Sequence, residues 1–152
     1  MTKIQIKEIS NQILFPKYET PSSSGMDIAA HIKENIIINS GEKALMPTIF
    51  SLGIPKGYQV QIRPKSSLAA KKSITVLNSP GTIDANYRDK IKLVSINLGT
   101  DKFIVVNGEM ISQIFVCPAP QVQLEKVNEL FKLIIVLGCL VLLELKSTNY
   151  ED

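Results

Sequence analysis

The sequence predicts a single all-β domain, a barrel or jelly roll with one short helical segment. Short runs of β-branched and apolar residues recur at close spacing, and Gly, Pro and Ser punctuate them. No helical period is sustained before residue 120 except over Ser66–Lys72. The chain has 152 residues, 45% of them hydrophobic and 20% charged, which is enough for one packed core and excludes a disordered chain.

The predicted strands follow one another along the chain with little between them. Residues 3–9 alternate between polar and apolar side chains, as does the segment 58–63 after the turn Pro55-Lys56-Gly57. Further short strands are predicted at 36–38 and 44–54. Close spacing and Gly/Pro punctuation are typical of antiparallel sheets that pack on each other or close into a barrel.

One or two helical turns and two more strands complete the prediction. The run Ser66–Lys72 is predicted to be helical and to be opened by serine caps. Residues 92–98 and 102–106 are predicted strands joined by Gly99-Thr100-Asp101. A helix amino terminus offers free N–H groups to an anion, so the start of this helix is a candidate phosphate site.

Residues 74–91 form the stretch around which the chain is organised. Apolar, β-branched flanks enclose turn-forming residues, and Pro80-Gly81 is a strong turn signal because proline presets φ and glycine accepts φ > 0. The pattern predicts a hairpin with a wide mouth.

Four polar side chains lie at that mouth: Asn78, Ser79, Asp84 and Tyr87. An amide with backbone groups can read the edge of a planar heterocycle, a carboxylate can orient or deprotonate a water, and a phenol ring can stack on a sugar. The residues alone fit a plain surface hairpin with solvated polar groups equally well.

Composition excludes some classes of function. The net charge of +3 selects no partner, and the absence of Trp with weak Arg/Lys–aromatic interleaving gives no footprint of nucleic-acid binding. Cys117 and Cys139 lie in apolar runs and are interpreted as buried thiols without a disulfide framework. The chain runs from Met1 straight into a strand pattern, so a cytoplasmic location is expected.

Four segments resemble motifs of the trimeric dUTPases (deoxyuridine triphosphate nucleotidohydrolases). Asn-Ser-Pro-Gly-Thr-Ile-Asp-x-x-Tyr-Arg at 78–88 resembles the third motif, and Ser-Gly-Met-Asp-Ile at 24–28 resembles the first. Pro-Lys-Ser-Ser-Leu-Ala at 64–69 lies where the family carries its second motif, and Gly-Glu-Met-Ile-Ser-Gln-Ile at 108–114 lies where it carries its fourth. The resemblance covers residues 3–120.

The chain departs from the family pattern at several positions. Lys65 and Met110 stand where the family has arginine, Ser67 and Asp89 where it has glycine, and Ser112 where it has alanine. Lysine keeps the positive charge of arginine but loses the planar fork that grips two oxygens at once.

The resemblance implies a jelly-roll homotrimer that hydrolyses dUTP to dUMP and pyrophosphate with Mg²⁺, at sites built between subunits. It implies that Asp84 orients and activates the attacking water and holds the 3′-hydroxyl, and that Tyr87 packs under the deoxyribose. Asn78 and the hairpin backbone at Gly81, Thr82 and Ile83 would read uracil. Ser66, Ser67, Gln113 and, as a weaker helper, Lys65 would bind phosphates.

The resemblance implies that the substrate phosphates are the main ligands of the metal and that Asp27 supports it indirectly through water. Two alternatives to the hydrolase remain: a catalytically impaired protein of this fold that only binds deoxyuridine nucleotides, and a dCTP deaminase-like enzyme. No nucleic-acid and no membrane partner is expected.

The carboxyl-terminal segment is anomalous. Residues 130–143 are strongly apolar, yet the run is shorter than the about 20 residues of a membrane helix. We interpret 1–128 as the β domain and 129–152 as an aberrant, buried or aggregation-prone tail, because the glycine-rich arm of the family is missing. Shifting the reading frame of permitted codons for Cys139–Thr148 yields Phe-Gly-Ser-Thr-Gly, which resembles that arm, so we hypothesise a frameshift.

Overall fold

A computed structural model of the chain describes residues 2–8 and 15–130. Residues 2–8 and 15–121 belong to one compact unit. Residues 122–130, the described part of a second unit, are exposed and contain neither helix nor strand. Residues 131–152 of the predicted tail 129–152, with Cys139, lie outside the described residues, so the domain boundary at 128/129 stays a prediction.

The described residues form strands and one short helix, which confirms the predicted all-β class. The elements are β1 (Gln5–Glu8), β2 (Met26–Ala29), β3 (Ile36–Ile38), β4 (Lys43–Pro47), β5 (Phe50–Gly53), β6 (Tyr58–Pro64), α1 (Ser66–Lys72), β7 (Ile74–Val76), β8 (Gly81–Ile83), β9 (Lys92–Asn97), β10 (Phe103–Val105) and β11 (Met110–Pro118). In this part of the chain no helix is long and apolar enough to cross a membrane.

The strands pair in four antiparallel groups. The largest has the order β2-β11-β6-β8, a second has the order β4-β9-β7, and two pairs join β1 to β5 and β10 to β3. None of these paired strands are consecutive in the chain, so the pairing among the described residues is mostly long-range. β11 and β6 share the longest ladder, from Ser112 opposite Pro64 to Pro118 opposite Tyr58.

The core is an apolar cluster to which most strands contribute one face. Alternate residues of β6 (Val60 and Ile62) and of β9 (Leu93) are buried in it, as period-2 alternation requires. The fully buried side chain of Asn97 bonds the end of β3 and the loop between β9 and β10. Its amide nitrogen donates to the carbonyls of Ile38 and Asp101, and its oxygen accepts from the Gly99 N–H.

The predicted hairpin at 74–91 is wrong. β7 pairs with β9, and β8 pairs with β6, so the two arms belong to different sheets. Pro80, which precedes β8, has no N–H for a ladder. β9 and β6 are longer strands, and each arm pairs with one of them along its whole length instead.

The segment 44–54 holds two short strands that are separated after Pro47, as predicted: β4 pairs with β9 and β5 with β1, and between them Thr48 donates its N–H and hydroxyl to the Ile91 carbonyl. Two other predictions needed correction. The helix has the predicted bounds, but its N-cap is Lys65, without a side-chain cap, rather than a serine. Cys117 is half-buried rather than buried.

Candidate functional site

A carboxylate, a lysine and an amide converge at one end of the largest sheet. Register places Asp27 on β2 opposite Gln113 on β11, and Lys65 follows the last residue of β6. Asp27 Oδ1 accepts a hydrogen bond of 2.7 Å from Gln113 Nε2, and Oδ2 accepts one from Lys65 Nζ in an ion pair. One carboxylate therefore orients both donors, and the structure brings these three predicted site residues together.

Asp27 is held in its ionised form. Its side chain is only 10% exposed. Burial alone would raise the pKa of the Asp27 carboxyl, but the hydrogen bonds from Lys65 and Gln113 and the charge of Lys65 outweigh burial, so the pKa lies below the ordinary value of 3.8.

An open pocket of about 370 Å³ lies at this cluster. Its lining includes Ser23, the first-motif residues Ser24 and Gly25, and Phe115. Gly25 is required there because a Cβ on it would lie 2.7 Å from the tip of the Phe115 ring. The pocket thus combines hydroxyls, an amide, a cation and the two carboxylates of Asp27 and Glu19 with one aromatic wall.

The start of α1 adds further donors beside this cluster. Ser66 and Ser67, the first two residues of the helix, are both exposed. The first intrahelical acceptor, the Lys65 carbonyl, is taken by the N–H groups of Leu68 and Ala69. The Ser66 and Ser67 N–H groups precede the first helical bonds and can donate outward with their hydroxyls.

The third motif forms a second, separate group. Asn78 and Thr82 are exposed, Ile83 is half-buried and Gly81 is buried. A Cβ on Gly81 would lie 3.3 Å from Asn78 Nδ2, and Gly81 is absent from the glycines with positive φ. The predicted reason for this glycine was therefore wrong: it makes room for the Asn78 amide.

Asp84 is exposed at the end of β8, beside an open pocket of about 530 Å³ that Tyr58 and Gln59 also line. Tyr87 packs its half-buried ring against the core, donates its hydroxyl to the Lys90 carbonyl at 3.1 Å, and donates its N–H to the Asp84 carbonyl. These bonds fix the phenol ring and the backbone of Asp84 relative to each other.

A single chain does not bring the two groups together. Ile83 on β8 pairs with Val60 on β6, and Asp84 is the next residue. Asp27 on β2 is paired with Gln113 on β11, which is paired in turn with Arg63 on β6. Three strand spacings of about 4.8 Å and about four residues of about 3.3 Å separate the two positions, which places their backbones about 20 Å apart. Within one copy the two carboxylates therefore belong to separate groups of residues.

Protein ligands for a metal are sparse in the described residues. No group of three or more His, Cys, Asp or Glu side chains converges in residues 2–8 and 15–130. Asp27 already uses both oxygens on protein donors. A lone carboxylate fits an ion that keeps its waters and is carried on substrate phosphates, as Mg²⁺ commonly is, and does not fit a protein-built cage.

Sequence reasoning missed the surroundings of this carboxylate cluster. Phe115 was not singled out, although it walls the pocket, and neither was Arg63, whose guanidinium lies 4.5 Å from the centroid of the Phe115 ring. A signal was available: Arg63 lies two residues before Lys65 at the end of an alternating strand, where side chains two apart share a face.

The fold places the chain among small all-β proteins of the jelly-roll type. A family model described as dUTPase matches residues 11–134, which ends before the segment that carries the frameshift hypothesis. The chain belongs to the dUTPase family.

Relatives and solved structures agree with that assignment. A deoxyuridine 5′-triphosphate nucleotidohydrolase of Fusobacterium nucleatum is 42% identical over 131 residues, which cover 86% of this chain and 90% of the relative. One of Bdellovibrio bacteriovorus is 42% identical over 128 residues, covering 84% and 86%.

Two phage enzymes share the fold at low identity. A dUTPase of Staphylococcus bacteriophage 80alpha, solved with dUpNHpp, is similar with a TM-score of 0.77 at 19% identity, covering 87% of this chain and 100% of that one. A dUTPase from phage phi11 of S. aureus, solved with a structural Mg(II) ion, has a TM-score of 0.76 at 19% identity, covering 84% and 98%.

Proposed function

We propose that the chain hydrolyses dUTP to dUMP and pyrophosphate. The observation that carries this proposal is the arrangement of the third-motif segment. Asn78 presents an exposed amide, Asp84 presents an exposed carboxylate, and the ring of Tyr87 is anchored by its hydroxyl. The relatives at 42% identity, named deoxyuridine 5′-triphosphate nucleotidohydrolases, support the same reaction.

Asp84 orients the attacking water and takes its proton. Water oxygen attacks the α-phosphorus in line, the bond between that phosphorus and the oxygen bridging to the β-phosphate breaks, and pyrophosphate leaves with the electron pair. The exposure of Asp84 beside a pocket of about 530 Å³ leaves room for a water and a phosphate. Asp84 also accepts a hydrogen bond from the 3′-hydroxyl.

The uracil and sugar are selected by the same segment. The Asn78 amide, seated over Gly81, and the backbone of Thr82 and Ile83 present fixed donors and acceptors to the pyrimidine edge. Cytosine reverses that edge and would leave polar groups unpaired. Tyr87 packs under the deoxyribose, where a 2′-hydroxyl has no room.

The phosphate chain is bound by the other group of residues. Gln113 and Lys65, both oriented by Asp27, face the pocket of about 370 Å³, and Ser66 and Ser67 add hydroxyl and backbone donors. Asp27 acts there as a positioning residue. The substrate phosphates would hold Mg²⁺, and Asp27 would support it through a water; the ion would supply charge neutralisation and polarisation of the phosphoryl group.

The active unit is a homotrimer with sites between subunits. The about 20 Å between Asp27 and Asp84 in one copy supports this arrangement, because both groups must reach one nucleotide. A second copy supplies the missing group, and closed cyclic symmetry then repeats the site at each interface.

The test is Mg²⁺-dependent release of pyrophosphate from dUTP, with UTP, dTTP and dCTP in parallel. We expect release from dUTP alone, loss of release in Asp84→Asn, and unchanged release in Asp101→Asn, which removes an exposed carboxylate elsewhere.

Other outcomes separate the alternatives. Binding of dUTP without release would favour the impaired binding protein. Ammonia release from dCTP would favour the deaminase-like enzyme, which the named relatives do not support. Equal release from UTP and dUTP would contradict the role given to Tyr87.

A further inference from the structure

Arg63 lies in the same cross-strand row as the phosphate-binding cluster. Register aligns Asp27 on β2 with Gln113 on β11 and Gln113 with Arg63 on β6. Side chains at directly paired positions point to the same face of a sheet. Arg63 therefore projects on the face that carries the Asp27–Gln113 bond.

The guanidinium of Arg63 is held in place by two neighbours. Its Nε and Nη2 donate to Gln61 Oε1 at 3.3 and 2.8 Å, and its plane covers the Phe115 ring with 4.5 Å between Cζ and the ring centroid. Phe115 in turn is fixed against Gly25 and walls the pocket of about 370 Å³. The Nη1 donors carry no protein hydrogen bond among the described residues, so a preoriented donor set remains.

The charge balance of the pocket makes this cation significant. Lys65 is paired with Asp27, and the pair has no net charge. Within residues 2–8 and 15–130 Arg63 has no carboxylate partner. Glu19 also lines this pocket, and its carboxylate lies 3.9 Å from Lys17 Nζ. Arg63 thus adds a cation without a carboxylate partner among the described residues beside a pocket that is to receive a polyanion, and its planar fork matches two phosphate oxygens.

We propose that Arg63 binds the phosphate chain of the nucleotide and distinguishes the triphosphate from the monophosphate. This inference rests on the proposed function, since it assigns a further residue to the same site. Arg63 would supply a guanidinium to a pocket in which Lys65 stands where the second motif of the family has arginine.

The test compares two ligands on the full chain in its native assembly. Calorimetry would measure the dissociation constants of dUpNHpp and of dUMP, each with Mg²⁺, for the wild type, Arg63→Gln, Arg63→Lys and the control Lys92→Gln, an exposed cation on β9. For Arg63→Gln we expect an about tenfold weaker affinity for dUpNHpp, equivalent to roughly 1.4 kcal/mol, and less than about twofold change for dUMP. Arg63→Lys should fall between, because it keeps the charge without the fork.

The other outcomes would contradict either the role of Arg63 or the proposed function. Unchanged dUpNHpp affinity in Arg63→Gln would refute the assignment, as would an equal loss for dUMP, which would make Arg63 a structural residue. A change in sedimentation of Arg63→Gln alone would place Arg63 in a subunit contact instead. Failure of the wild type to bind dUpNHpp would overturn the proposed function itself.

Discussion

Replacing Ser112 by alanine is expected to stabilise the protein. Ser112 is fully buried on β11, and its hydroxyl has no hydrogen-bond partner among the described residues. Its paired residue on β6 is Pro64, which has no N–H to offer. The resemblance to the fourth motif places alanine at this position, so Ser112→Ala restores the family pattern.

The magnitude follows from two opposing contributions. An unpaired buried polar group costs about 1–3 kcal/mol. Deleting one oxygen forfeits a few dispersion contacts of about 0.1–0.2 kcal/mol each. The net gain in the free energy of unfolding is therefore about 1 kcal/mol, which corresponds to an increase in Tm of about 3–5 °C for a domain of this size.

Thermal unfolding at one fixed protein concentration, with and without nucleotide, would measure this shift. The matched control is Thr48→Val, which also deletes one fully buried hydroxyl but breaks a bond of 2.9 Å to the Ile91 carbonyl. Thr48→Val should lower the free energy of unfolding by about 1 kcal/mol. A Tm of Ser112→Ala equal to or below that of the wild type would refute the reasoning, because the hydroxyl would then have a partner.

Three further predictions concern the site and its support. Because the pKa of Asp27 is lowered in the folded protein, its ionised form stabilises the fold above the pKa of the unfolded state, and this stabilisation is lost as pH falls through the folded-state pKa. Below about pH 4 the Tm of the wild type should therefore fall more steeply than that of Asp27→Asn. Parallel Tm profiles of the two proteins in acid would contradict the ion pair. Asn97→Ala should lower the free energy of unfolding by about 2–3 kcal/mol, because two carbonyls and the Gly99 N–H lose their partner; denaturant titration measures it, and a loss below about 0.5 kcal/mol would show that water replaces the amide. Gly81→Ala should displace the Asn78 amide and lower kcat/KM for dUTP about tenfold at unchanged Tm; an unchanged kcat/KM for dUTP would remove Asn78 from uracil recognition.

Local features were predictable because they depend on neighbouring residues. Alternation located β1 and β6, and the helical pattern of Ser66–Lys72 predicted the helix with its observed bounds. Motif residues placed Asp27, Lys65 and Gln113 at one candidate site, and the structure joins them.

Pairing between strands was not predictable in the same way. The run 74–91 reads locally as a hairpin, yet β7 and β8 find longer partners, β9 and β6, that are distant in the sequence. The separation of Asp84 from Asp27 likewise depends on sheet order, which no local pattern encodes. The stack of Arg63 on Phe115 required knowing that β6 and β11 are neighbours.

Under the proposed function, two groups of residues from different copies form one dUTP-hydrolysing site. Mixing inactive Asp84→Asn with inactive Gln113→Ala, unfolding and refolding them together, and measuring pyrophosphate release from dUTP tests it directly. If the site is shared between copies, random assortment restores both native groups at about a quarter of the interfaces, and activity returns to about that fraction of wild type. If every site lies within one chain, each chain still carries one defect, and the mixture stays as inactive as its parents.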